Sequence, residues 1–185
     1  WLRNSQVVNE VATPSRVATF LNEGRGKVLE KKIDAADRTI LRILQTDCSV
    51  SIDSIAETLK LSKNATWRRV RQLEANGIIK KQVAFSDPAV LGLNATAIVM
   101  IHTSNHSAEW LRKFRKAISK LPNIQGAYRM TGELDYMLRV RVAGIEDYDN
   151  FYQKLVELIY FSNVSTSFVM EEIVETTAVH IPDVE

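Results

Sequence analysis

The sequence predicts an α+β fold in two blocks: three short helices, then a βαββαβ alternation. Three observations predict it. Between Asp34 and Gly77 apolar residues recur at helical spacing behind Asp and Ser caps, and beyond Asn94 the pattern changes to apolar runs and alternation. The charge changes sign at the same place: residues 31–81 hold eleven Lys/Arg against six Asp/Glu, net +5, and residues 82–185 hold nine against thirteen, net −4. The stretch DPAVLG, Asp87 to Gly92, reads as a turn and linker between them. A basic block followed by an acidic one suggests a module for a polyanion joined to something else.

Four segments follow: an arm or extension over 1–30, a helical domain over 31–81, a strand and linker over 82–93, and a second domain over 94–185. The arm is the least readable. Val17, Phe20 and Leu21 give some helical spacing, but Pro14, Gly24 and Gly26 interrupt it. No Met precedes Met100, so Val28, just before the first capped helix, is a candidate start, with residues 1–27 a dispensable extension. The single cysteine, Cys48, allows no intrachain disulfide, and a reducing, cytoplasmic setting is the economical reading. No apolar run approaches the roughly 20 residues that span a bilayer.

In the first block, Asp34 and Asp37 form a cap-like pair ahead of Ile40, Leu41 and Leu44. Ser51 opens a second helix with Ile52, Ile55, Ala56 and Leu59 inward. Lys60, Leu61 and Ser62 make a tight turn, and a third helix runs to Gly77, whose freedom at positive φ suits a helix end. Three short helices with a three-residue turn before the last describe a helix-turn-helix. At about 100° per residue, Thr66, Val70 and Leu73 share one side of the third helix, with Arg69 at its margin. Asn64, Arg68 and Arg71 lie opposite. Arginine can fork onto guanine and asparagine onto adenine in a major groove. Lys63, Lys80 and Lys81 are better placed for phosphates. The candidate DNA-binding residues are Ser62, Lys63, Asn64, Thr66, Trp67, Arg68, Arg69 and Arg71. A basic face alone would equally suit a solvated three-helix bundle. The capped order and the charge asymmetry favour double-stranded DNA.

In the second block, Ile78 to Phe85 reads as a strand that leads into the linker. Asn94 to Thr103 is a near-continuous β-branched and apolar run. Ser107 begins a helix with Leu111, Phe114, Ile118 and Leu121 on one side, stopped by Pro122. Ile124, Gly126, Tyr128 and Met130 alternate, residues 131–135 turn the chain, and Tyr136, Leu138, Val140 and Val142 alternate again. Tyr148, Phe151, Tyr152, Leu155 and Ile159 mark a second helix, and a last strand is expected from Val164 to Val174. This βαββαβ order is ferredoxin-like. Two helices would cover one sheet face, and the other face also carries apolar side chains, so a partner chain is expected there. A homodimer would also present two recognition helices to two half-sites.

Catalysis finds little support. Glu133 and Asp135 share one turn, but no nucleophile with a nearby base is evident. His102 and His106 lie near a strand end and a loop rather than on one helix face, and no phosphate-cradling glycine loop occurs. No catalytic residue, metal or cofactor is assigned.

The motifs IDAADRTILRILQTD, LSKNATWRRVRQLEANGII, DPAVLGL, TGELDY and SFVMEEI, in this order over residues 31–181, resemble the Lrp/AsnC family of bacterial and archaeal transcription regulators. The resemblance implies a winged helix-turn-helix domain, a ferredoxin-like ligand-binding domain, and dimers that can assemble into octamers. It also implies an amino acid bound between subunits near a turn that reads G-D-F-D-Y in many members. Here that turn is Gly132, Glu133, Leu134, Asp135 and Tyr136, so Glu133 and Leu134 depart from the pattern. Thr166 and Ser167 are added as hydroxyl contacts on the same resemblance. QTDCSVS, ATWRRVRQLE and HSAEW are similar to a subgroup containing cysteine-responsive regulators of cysteine detoxification, which makes cysteine a candidate effector. The expected function is sequence-specific transcriptional regulation modulated by an amino acid, in the bacterial cytoplasm and on the nucleoid. The alternative is an amino-acid-sensing regulatory subunit of an enzyme, without DNA.

Overall fold

The computed structural model describes residues 33–183. The expected arm over 1–30 and the candidate Val28 start lie outside the described residues. The chain divides into two compact units. Among the described residues, those from Ile33 to Phe85 group with Ile173–Asp183, and Ser86–Glu172 form the other unit.

The helical unit is assembled by its caps. α1 spans Ala35–Thr46 behind a capping box: the Asp37 N–H donates to the Asp34 carboxylate at 2.9 Å, and the Asp34 N–H donates to Asp37 at 3.3 Å. α2 spans Ile52–Leu59 behind Ser51, and α3 spans Lys63–Ala75 behind Ser62, each serine hydroxyl accepting from a first-turn N–H. The turn between α2 and α3 depends on Lys60 at φ 54°, with Leu61 N–H donating to the Ala56 carbonyl at 3.0 Å. α3 ends before Gly77 at φ 70°, where Ile78 N–H returns to the Leu73 carbonyl. Ile40 and Ile55 are fully buried and meet Leu41, Val70 and Leu73 in one cluster. Each such side chain stabilises the fold by roughly 1.5–3 kcal/mol. Cys48 lies exposed in the turn after α1.

The second unit is a four-stranded antiparallel sheet ordered β2-β3-β1-β4. Its strands are β1 (Ala95–His102), β2 (Ile124–Arg129), β3 (Tyr136–Val142) and β4 (Asn163–Phe168), with α4 (Ala108–Ile118) after β1 and α5 (Ile145–Leu158) after β3. The register pairs Val99 with Leu138 and Ala97 with Val140, so one sheet face is a continuous apolar layer. Against it pack Trp110, Phe114 and Ala117 of α4 and Phe151 and Leu155 of α5. The opposite face carries Ile98, Met100 and Met137 half-buried, with Tyr128 exposed beside Met137. There, too, Glu172 accepts from Thr96 at 2.7 Å and pairs with Arg141 at 2.8 Å.

Two expected strands require correction. Residues 78–85 form no strand, and Val83 and Phe85 are exposed. A strand exists only where another strand offers its N–H and C=O groups, and within the described chain none reaches this segment. The last strand ends at Phe168 rather than Val174. One further bond, Val169 N–H to the Thr96 carbonyl, continues it, after which Glu172 turns back toward Arg141 and Thr96.

Candidate functional site

α3 separates its residues as helical periodicity requires. Thr66, Val70 and Leu73 are buried, while Lys63, Asn64, Trp67, Arg68, Arg71 and Gln72 are exposed. Ser62 uses its hydroxyl to cap the helix. Thr66 is fully buried, and its hydroxyl donates to the Ser62 carbonyl at 3.2 Å, which corrects its assignment to the DNA-contacting set: it is a packing residue. Arg69 is committed inward. Its Nη1 donates to Asp34 at 2.7 Å and Asp37 at 2.8 Å, tying α3 to the cap of α1. These carboxylates raise the Arg69 pKa. The Asp34 carboxyl lies below its ordinary value, first because the Asp37 N–H donates to it and then because of Arg69, with burial working the other way.

The outward face holds the remaining cations. Arg68 is exposed and, among the described residues, holds no ion pair. The Arg71 guanidinium lies over the Trp67 ring, 5.6 Å from its centroid, and bonds Glu74 at 2.9 Å. Trp67 therefore packs against an arginine, with half its surface still exposed. Lys63 pairs with Asp53 at 2.8 Å across the turn, with both side chains well solvated. Such a pair adds little to stability and yields readily to a phosphate.

The turn between β2 and β3 carries the second candidate site. Met130 N–H donates to the Asp135 carbonyl and closes it. Gly132 sits at φ 103°, a conformation that favours glycine, and a Cβ there would meet nothing within 4 Å. Backbone geometry rather than crowding therefore demands the glycine. Glu133 is exposed and Leu134 half-buried. Asp135 Oδ2 accepts from the Thr103 N–H at 2.8 Å, and its Oδ1 stands 3.8 Å from His106 Nδ1. The Tyr136 ring is in the core, tilted against Phe114 and Trp110, which corrects its placement in the effector set: its side chain is committed to packing. Thr166 faces the helix layer opposite Val99 and shares a hydrogen bond with the Tyr148 hydroxyl. Burial raises the Tyr148 pKa, and the hydrogen bond to Thr166 opposes the shift. Ser167 lies on the other face, opposite Ile98. Thr166 and Ser167 thus point to opposite sides of one strand.

Comparison with known proteins decides what carries these two sites. Residues 33–80 match the winged helix-turn-helix DNA-binding description, and residues 96–179 match the Lrp/AsnC ligand binding domain. The DNA-binding transcriptional activator DecR of Escherichia coli K12 is 41% identical over 150 residues, covering 80% of this chain and 99% of the relative. The chain belongs to the Lrp/AsnC family. The glutamate uptake regulatory protein of Zymomonas mobilis is 39% identical over 153 residues, 83% of this chain and 93% of that protein. Among solved structures, an AsnC family regulator from Agrobacterium tumefaciens superposes with TM-score 0.78 at 40% identity, covering 80% of this chain and 97% of that one. A Neisseria meningitidis regulator, solved as an L-Met complex, gives TM-score 0.77 at 25% identity, covering 80% and 97%. This Lrp/AsnC chain is a DNA-binding transcriptional regulator with a ligand-binding domain.

Three contacts are not legible residue by residue. Nothing local marks Arg69 as a strut, because its partners lie 35 and 32 positions away. Nothing marks Thr103 as the partner of Asp135, or the C-terminal residues as neighbours of α1. Among the described residues no group of three or more His, Cys, Asp or Glu could hold a metal ion, and no helix is long and apolar enough to cross a membrane.

Proposed function

We propose that the outward face of α3 reads operator DNA, with Arg68, Arg71 and Asn64 at base edges and Lys63, Lys80 and Lys81 on phosphates. The observation that carries this is the separation of α3 into a buried Thr66–Val70–Leu73 stripe and an exposed cationic face. The protein acts as a cytoplasmic homodimer, with further assembly to octamers. The half-buried apolar residues on the open sheet face and the exposed Val83 and Phe85 are surfaces a second copy would cover. The DNA-binding domain spans 31–81 and is joined through residues 82–93 to the ligand-binding domain. An amino acid is the effector, held at the Gly132–Asp135 turn with Thr166 and Ser167 nearby. Backbone N–H groups there suit its carboxylate, and Glu133 or Asp135 suits its ammonium. The subgroup motifs make cysteine the first candidate.

Selection of DNA from a random pool by the full-length protein tests the first part. Binding should weaken steeply with salt, and Arg68→Ala should cost about 1–3 kcal/mol at the selected site. A protein that selects no sequence ends this reading. A thermal-shift screen of the twenty amino acids under reducing conditions, with cysteine first and methionine and glutamate included, tests the second. A ligand at about 100 times its Kd stabilises the fold by roughly 2.7 kcal/mol, and a flat screen removes the amino-acid effector.

A further inference from the structure

The DNA-binding unit is built from both ends of the described chain, with the ligand-binding unit inserted between them. Its second part, after Ile173, lies against α1. Val179 N–H donates to Gln45 Oε1 at 2.8 Å, and Gln45 Nε2 donates to the Val179 carbonyl at 3.3 Å. Arg42 Nη2 donates to the Ile181 carbonyl at 2.9 Å and to Asp183 at 2.5 Å. Arg38 Nη1 donates to the Pro182 carbonyl at 2.6 Å. The Ile181 side chain joins the cluster of Ile40, Ile55, Val70 and Leu73. Arg38, Arg42 and Gln45 are spaced four and three residues apart, so they share one face of α1. That face grips an extended segment chiefly through its backbone. The N-terminus of the same helix is tied to α3 through Asp34, Asp37 and Arg69.

We propose that Val179–Asp183 is a clasp whose docking on α1 holds the recognition helix in its DNA-binding arrangement. This rests on the reading of α3 as the DNA-contacting helix. The clasp is built to be reversible. Its ion pair, Arg42 with Asp183, is well exposed at 43% and 89%, and water screens such a pair. Ordering five residues costs conformational entropy that the hydrogen bonds and the one apolar anchor, Ile181, must offset. Docked and undocked forms therefore lie close in free energy, and a modest bias moves the population. The clasp begins eleven residues beyond Phe168, the end of the strand that carries Thr166 and Ser167, so the chain connects β4 to the clasp directly.

Two full-length variants and one truncation test it: Ile181→Asp, the gentler Val179→Pro, which removes the N–H donated to Gln45, and a stop after Ala178. Hydrogen exchange and operator affinity are read well below each variant's melting temperature. Exchange in α1 and α3 should accelerate about tenfold or more in all three, with β1 and β3 unchanged. The Kd for the selected operator should rise about tenfold, and Ile181→Val should stay within about twofold of the parent. A lowered melting temperature with unchanged α3 exchange and unchanged Kd reduces the tail to a stabilising contact and overturns the proposal. A tighter Kd after truncation also overturns it, since the tail would then compete with DNA. If the parent itself selects no DNA, the DNA reading fails, and α3 exchange alone decides the clasp.

Discussion

Helix α3 and the Gly132 turn are both proposed to meet a ligand, but they are specified differently. On α3 a side chain's fate follows from its angle around a regular helix. Arg68 faces water and Arg69 faces two aspartates because one position rotates the chain by about 100°. In the turn, fate follows from what distant strands bring alongside. Asp135 is occupied because β1 ends where Thr103 can donate to it. The first site can therefore be altered by local changes, whereas the second is coupled to the sheet that holds it.

The widest separation between neighbours should come from Arg68 and Arg69. Arg68→Ala is expected to leave the melting temperature within about 1 °C while weakening specific DNA binding by about 1–3 kcal/mol. Arg69→Ala is expected to destabilise the unit by about 1–2 kcal/mol, because it strands Asp34 and the less exposed Asp37 beside each other. Parallel melting and operator titrations check this. If the two variants behave alike, the division of α3 into an inner and an outer face is wrong.

Asp135 sharpens the other side. Its bond to Thr103 means that Asp135→Ala should lower stability by about 1–2 kcal/mol without ligand, by leaving that N–H without its acceptor. The variant should also lose the thermal shift produced by an amino acid that stabilises the parent. A variant that melts lower yet keeps the full shift confines Asp135 to holding the turn.

Two of the residues at positive φ make a smaller, mirrored pair. Gly132 at φ 103° suits its backbone, so Gly132→Ala should cost about 1 kcal/mol. Lys60 at φ 54° is a lysine where glycine is easier, so Lys60→Gly should stabilise by up to about 1 kcal/mol. Urea midpoints of both variants suffice, and a Lys60→Gly that destabilises would mean the lysine stem contributes packing.

Much of the fold was legible because it is local. Asp34, Ser51, Ser62 and Ser107 cap the four helices that the sequence predicts from them, each through a hydrogen bond to a residue three positions on. The alternation of Tyr136, Leu138, Val140 and Val142 likewise placed one strand face in the core. Residues 78–85 and 169–174 misled because β-favouring side chains do not supply a neighbouring strand. Of the candidate sites, the outward face of α3 could be read from periodicity. The same periodicity puts Thr66 on the buried side with Val70 and Leu73. The bond of Asp135 to Thr103 could not be read, since it depends on a chain segment 32 residues away.

The smallest expected effect returns to the Asp34–Arg69 strut and concerns acid. The Asp34 carboxyl titrates below its ordinary value, chiefly because the Asp37 N–H donates to it and also because of Arg69 beside it. A carboxylate whose folded-state pKa is depressed favours the fold at pH values above its unfolded pKa, near 4, and that contribution disappears as pH falls through the folded value. Asp34→Asn keeps a good cap, because asparagine also accepts from a first-turn N–H, but removes the titration. At pH 6 the variant should differ from the parent only by the weakened Arg69 contact. Between pH 5 and pH 2.5 the parent's urea midpoint should fall more steeply than the variant's, so that the two curves converge. With the Asp34 side chain 52% exposed, solvent screens much of the interaction and the convergence should be modest. Parallel curves over that range would assign the acid sensitivity of the helical unit to other carboxylates.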